Sequence, residues 1–412
     1  MKIRHYLSVT IPISLALLFL GTLCSAATLR VGHPNTSCPN AQYTTITAAV
    51  NAAAPGDVIE ICPALYPEQL IITKPLILRG VLTKVNIEIY LPCCNEVKRV
   101  LLQPSLQDLQ GLPFEAVITV MDTEDVTIDN LAIDASQNTV AGCDIGLSAV
   151  HFYNASGRLK NSAVFGAQLP NPQSCSTFFG NGFGVVVDSS AAGPFDVEIE
   201  HNSIHDFQRD GIEVSNAGVN VEIEGNNISG LGPSTGINQF GIFLLNGAVG
   251  QVKDNVITEG ACGTLSPTDC VNLRSEGVVL RSVGDGVVVD HNVINHVQSG
   301  IFLNTVNHAR ITNNLIGNID SLDGIDMYST SDSLVDGNTI FNATPLENLS
   351  EGVFENTGGG EGNNEISNNT VNDAYCGVAF VATSHVKHGS YFNVLYPELL
   401  SNGQPGPPPI EP

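Results

Sequence analysis

Short apolar–polar alternations recur along the chain, and each ends on the same punctuation. VEIEHNSIHD (197–206), VEIEGNNISG (221–230), VVVDHNVINH (287–296), ARITNNLIGN (309–318) and SLVDGNTIFN (333–342) are versions of one unit. In each, the last apolar residue of a short strand is followed five positions later by a second apolar residue. The first members are Ile128, Leu159, Ile199, Ile223, Val252, Val289, Ile311, Val335 and Ile366. The second members are Ile133, Val164, Ile204, Ile228, Ile257, Ile294, Ile316, Ile340 and Val371. Seven copies place an asparagine three residues after the first member: Asn202, Asn226, Asn255, Asn292, Asn314, Asn338 and Asn369. A parallel column reads Gly-apolar-x-apolar, at Gly184, Gly211, Gly241, Gly277, Gly300, Gly324, Gly352 and Gly377.

Period-two alternation with β-branched enrichment and Gly/Asn/Asp/Ser boundaries predicts strands. Helical patterns long enough for βαβ crossovers do not follow residue 55. A fixed asparagine register in consecutive units points to coiling, because strands of successive rungs pair about 4.8 Å apart and stack equivalent positions. Stacked asparagines supply one another with partners, as in amide ladders. The glycine column marks a bend where a Cβ would clash or where φ is positive. The fold class predicted is all-β, a right-handed single-stranded parallel β-helix with a short N-terminal capping α-helix. That helix falls in TTITAAVNAAAPGD (Thr44–Asp57), with Ile46, Ala49, Val50 and Ala53 on one face and VIEI opening the first strand. The organisation expected is a signal peptide over 1–26, cap and first rungs over 27–80, β-helix over 81–400 and a disordered tail over 401–412.

Composition narrows the functions. The formal charge is −25, from 41 acids against 16 bases. That argues against nucleic acid and against anionic membrane surfaces. Lys2, Arg4 and His5 precede an apolar run from Leu7 to Leu23 and the small residues before Ala26, the pattern of a secretory signal. The mature protein is thus expected outside the cytoplasm, secreted, periplasmic or at the cell surface, with no membrane span and as a monomer. Nine cysteines remain after Cys24, which in an exported chain favours disulfides. The pairings expected are Cys38–Cys62, Cys143–Cys175 and Cys262–Cys270; Cys93, Cys94 and Cys376 are left unassigned.

The opening Tyr43–Gly80 segment and the Asn-x-Ile rungs resemble the pectin-lyase-like, right-handed parallel β-helix superfamily. They are similar to exported bacterial β-helix proteins such as the periplasmic accessory protein of nitrous-oxide reductase. The resemblance implies the fold and leaves the chemistry open, since one architecture hosts many functions. The Asp-Asp and Gly-His-Gly of polygalacturonase-like hydrolases, the Gln-Asp-Thr-Leu of pectin methylesterases and the Asp-Pro-His-Asp of alginate-epimerase-like enzymes are missing.

Loops after the asparagine bend vary in length and emerge on one flank, where binding residues collect on rigid scaffolds. One group there is His205, Arg209, Asp210 and Glu213, with Glu213 pointing outward from Gly-Ile-Glu-Val. A second is Asp323, Asp326 and Glu351, with Arg274, Glu276, His296 and Tyr328 around it. Asp323 and Glu351 share a rung position, so about 5 Å separates their backbones. That suits a shared proton, a cation or glycoside hydrolysis. Asp323, Asp326 and Glu351 are the catalytic candidates; His205, Arg209, Asp210, Glu213, Arg274, Glu276, His296 and Tyr328 are the substrate-binding candidates. Acids before glycine are also ordinary turn chemistry. His201 and His291 share a rung position about 14 Å apart, too far for one zinc. No transition-metal site or resident cofactor is expected, and Ca2+ is the one cation the acids allow. The partner expected is a polysaccharide. The functions open are a polysaccharide-binding scaffold, a polysaccharide lyase or glycoside hydrolase, and a periplasmic metalloenzyme-maturation factor.

Overall fold

The computed structural model describes residues 26–32, 38, 40–81, 100–104, 114–140, 145–170, 181–232, 238–260, 275–319, 323–343, 350–356, 362–400 and 404–405. The strands coil into a parallel solenoid. One face is a 13-stranded sheet that begins at Thr28–Val31, continues with Val58–Ile61 and ends at His385–Lys387. The other two faces are joined into one 23-stranded sheet. One consists of short strands such as Ser203–His205 and Asn227–Ser229. The other consists of longer strands such as Asp210–Ser215 and Phe240–Leu245. Among the described strands every pairing is parallel except Leu399–Leu400 with Gln404–Pro405.

The repeat read from the pattern is the coil. Ile128, Leu159, Ile199, Ile223 and Val252 are direct cross-strand partners in that order, and the column continues through Val289, Ile311 and Val335 to Ile366. The second members pair likewise, from Ile133–Val164 to Ile340–Val371. Every member of both columns is at most 1% exposed, so together they fill the shaft. Burying side chains of this kind is worth about 1.5–3 kcal/mol each against leaving them in water.

The seven asparagines form a continuous ladder. Each Nδ2 from Asn202 to Asn338 donates to the next Oδ1 at 3.0 Å, and that same oxygen accepts the backbone N–H of the donating residue. The other amide proton reaches the carbonyl of an earlier rung, as Asn226 does to Ile199 at 2.8 Å. The residue before the ladder is left-handed in rung after rung: Asn161, His201, Asp254, His291, Asn313 and Asn368 have φ between 51° and 55°. His201 and His291 are therefore bend residues.

The glycine column has one of the two causes anticipated for it. A Cβ on Gly211 would lie 2.6 Å from the Gly241 carbonyl and 2.6 Å from Ile228 Cγ2, and one on Gly324 would meet Gly352 and Ile340 in the same way. None of the eight has positive φ. The corner is thus closed by steric contact with the next rung and with the isoleucine column, and a left-handed backbone is not what selects glycine there.

At the N-terminal end an α-helix spans Ile46–Ala52, capped by Thr45, with Ile46, Ala49 and Val50 buried. Glu68 accepts from the backbone N–H groups of Ile46 and Thr47 at 2.8 Å each, satisfying donors the helix leaves open. Cys38 and Cys62 are disulfide-bonded with Cα atoms 6.1 Å apart, as the spacing suggested. One expectation is corrected: the first strand is Thr28–Val31, ahead of the helix, and VIEI is the second. Four residues beside the expected cleavage point carry too short a pattern to read, and only pairing with Val58–Ile61 defines them. Cys143, Cys175, Cys262 and Cys270 lie outside the described residues, so neither other pairing is seen.

Candidate functional site

The longer strands of the 23-stranded sheet carry two columns of chemistry along one flank. Residues preceding the column glycines make the first: Phe183, Asp210, Phe240, Glu276 and Ser299 are successive partners, and Glu351 pairs with Cys376 further on. Residues two after the glycine make the second, Val186, Glu213, Phe243, Val279, Phe302, Asp326 and Phe354, with His151 in register ahead of Val186. Between the polar clusters, Phe240, Phe243, Val279 and Phe302 form an apolar cluster separate from the shaft core.

The first polar cluster lies on Asp210–Ser215. Ile212 fills the core and Glu213 is half-buried on the opposite side, as alternation requires. The Asp210 and Glu213 carboxyls hydrogen-bond to each other, and both sit well out of water. Burial pushes Asp210 above the usual carboxylate range against the pull of Arg209, Glu213 and Arg281. Burial raises Glu213 further, with the Asp210 charge, its hydrogen bond and the Asp188 charge adding to the effect. Both carboxyls are thus shifted toward their protonated forms. Arg209 stands 3.7 Å from Asp210, donates to the Asn238 carbonyl at 3.2 Å and lies 4.3 Å over the Phe240 ring. Arg281 lies 5.3 Å over Phe243.

Two further members of this group were not singled out in the sequence. His151 is fully buried, and its Nε2 pairs with Asp188 Oδ1 at 2.7 Å. Its Nδ1, the Thr119 hydroxyl beside it in register and the Ser148 hydroxyl have no partner. The available signal was His151 and Asp188 each falling in the outward phase of its strand. The 37 residues between them hid the contact, which only the register creates.

The second cluster lies four rungs on, about 19 Å along the axis at ~4.8 Å per rung. Asp323 is buried and its Oδ1 accepts the Glu351 backbone N–H at 3.0 Å. Burial, then the hydrogen bond and charge of Glu351, then the Asp326 charge, hold Asp323 well above the usual carboxylate range. Next in the column, burial and then the Glu351 charge push the Cys376 thiol up to about 12. Tyr328 is exposed on the same strand as Asp326. The predicted adjacency of Asp323 and Glu351 is thus observed. Their direct contact leaves no space between them for a glycosidic oxygen and a water, which opposed carboxyls about 5–9.5 Å apart would provide.

The remaining candidates divide. Glu276 is buried in the first column, midway between the clusters. His205 belongs to the short-strand face, stacked on Phe165 at 5.1 Å and bound to Asp206 at 2.8 Å, one bend away from Asp210. His296 is exposed with φ 53°, a bend position. Arg274 lies outside the described residues. Ca2+ asks for six to eight oxygen ligands. Among the described residues no three His, Cys, Asp or Glu side chains are placed to hold a metal ion, and the carboxyl pairs turn toward each other. A membrane-spanning helix is likewise absent from the described residues.

A parallel coil with acids, aromatics and unpaired hydroxyls on one flank defines a class of protein, the β-helical solenoid. The chain belongs to the family described as right handed beta helix region, which matches residues 148–392. Comparison with curated protein sequences gives no match. Among solved structures, the mannuronan C-5 epimerase A-module of Azotobacter vinelandii superposes with a TM-score of 0.52 at 13% identity, over 86% of this chain and 91% of that one. A PL6 alginate lyase in complex with a trisaccharide gives 0.52 at 13%, over 91% and 86%. The DFA-IIIase of Arthrobacter chlorophenolicus A6 gives 0.51 at 14%, over 88% and 93%. At such identities the likeness is one of fold, and it bears out the pectin-lyase-like architecture read from the rungs.

Proposed function

We propose that the chain is an exported protein that binds polysaccharide along the Asp210–Glu351 flank. The observation that carries this reading is the gathering of buried polar groups without protein partners on one face of a rigid coil. Ser299, Ser148, Thr119 and His151 all have such atoms there. Buried polar groups are nearly always paired, so orphans collected on one face are consistent with a hydroxyl-rich ligand. The fold neighbours that act on mannuronan or alginate, or hold a trisaccharide, lend support by analogy.

A second reading, glycan cleavage, is favoured by the raised carboxyls on the flank. A carboxyl held above its ordinary range is better suited to general acid catalysis than an unperturbed one. Glu213 and Asp323 are the groups in question, with Asp326 and Glu351 beside the latter. Incubation with a panel of polysaccharides, following reducing ends and absorbance at about 235 nm with and without Ca2+, separates hydrolysis from elimination, which leaves an unsaturated product. If Glu213→Gln and Asp323→Asn leave a measured turnover unchanged, the catalytic reading fails. Retention of a glycan without product supports binding alone, and retention of none overturns both readings.

A further inference from the structure

We infer that the flank selects an uncharged glycan over a polyuronate, an inference that rests on the polysaccharide reading above and narrows it. The first support is where the charges lie. Asp210, Glu213, Glu276, Asp323, Asp326 and Glu351 all stand on the flank strands, and Asp188 faces Glu213. The guanidiniums described beside them are Arg209 and Arg281. Arg209 is buried, laid on Phe240 and hydrogen-bonded to a carbonyl, so Arg281 is the exposed one. Seven of the other described bases lie elsewhere. Arg30, Arg79, Arg158, Lys160, Lys253, Arg310 and Lys387 all lie on the 13-stranded face, several paired with acids there. Like charges within a Debye length of about 8 Å at physiological ionic strength repel an incoming carboxylate.

The second support is independent of charge. The Ser299 hydroxyl, 1% exposed, has no partner and stands in the column between Glu276 and Asp323. Both Asp210 oxygens lack any donor from the protein apart from the Glu213 carboxyl. Carboxylates accept hydrogen bonds, and a face rich in acceptors needs a ligand that donates. Sugar hydroxyls donate and accept, whereas a uronate carboxylate only accepts. The same groups that would repel a polyuronate therefore match an uncharged chain.

The test is binding of the full chain to labelled neutral oligosaccharides (gluco-, xylo-, galacto- and fructo-series) and to alginate and galacturonan oligomers, with and without added calcium. A neutral series should bind, and every uronate should bind at least about tenfold more weakly, about 1.4 kcal/mol. Residual uronate binding should strengthen as salt is raised, because screening relieves repulsion. Glu351→Gln, which removes a flank carboxyl, should narrow the discrimination severalfold, while Glu222→Gln, on the 13-stranded face, should not. Uronate binding that equals or exceeds neutral binding, or that weakens with salt, overturns the selectivity and leaves polysaccharide binding standing. Absence of binding to either class overturns both.

Discussion

Asp323 shows how little of a residue's chemistry its type contains. It is an acid before a glycine in a turn, as are several others, yet burial and contact with Glu351 hold it well above its ordinary range. The sign of the pH effect follows. A carboxyl raised in the folded state contributes stability that is present below the unfolded value, about 3.9, and is lost as pH climbs toward the folded value. Thermal melts should accordingly show falling stability as pH rises from about 4 toward neutrality. Asp323→Asn, which mimics the protonated form, should flatten that slope, and an unchanged slope would refute the assignment. The residue pattern made the proximity of Asp323 and Glu351 readable, because both occupy one rung position. It could not reveal the proton, because desolvation is a property of surroundings.

The ladder is the element that turns a repeat into a shaft. In its middle, Asn255 accepts the Asn226 backbone N–H and side chain and donates to Asn292 and to the Ile223 carbonyl. Removing that amide leaves buried donors and an acceptor without partners, each worth about 1–3 kcal/mol. Asn255→Ala should therefore lower the unfolding free energy by about 2–5 kcal/mol in urea titration, whereas replacing the exposed Asn220 should change it by less than about 0.5 kcal/mol. The asparagines and the isoleucine columns were legible because a side chain that must stack in every rung must recur at one register. The glycine column was legible as a corner, but its cause was not. Steric contact with Ile228 or Ile340 depends on how two faces of the coil meet. His151 and Asp188 went unnoticed for the same reason, since their contact is between rungs and exists only in the folded register.

The whole molecule behaves as a stack in which each rung is held by its neighbours, so its ends are its weak points. The Cys38–Cys62 bond ties the cap region to the second strand, across 24 residues of chain. Its removal should cost about 3 kcal/mol by the loop-entropy estimate. In a Cys62→Ser variant, hydrogen exchange should quicken in Thr28–Val31 and Val58–Ile61 while the rungs around Asn314 keep their protection. Uniform loss of protection along the shaft would contradict stack-like behaviour. At this scale the sequence by itself determined the architecture: a coil with an amide ladder, an N-terminal cap, and a flank where acids gather. Those are consequences of periodicity, and periodicity is local. Tertiary structure alone decided which acids raise one another, that Arg209 lies on an aromatic ring, that His151 joins Asp188, and that seven of the described bases sit on the 13-stranded face. Each of these depends on the distance between residues of different rungs and on the water excluded from around them. Neither is set by the order of residues until the chain has coiled.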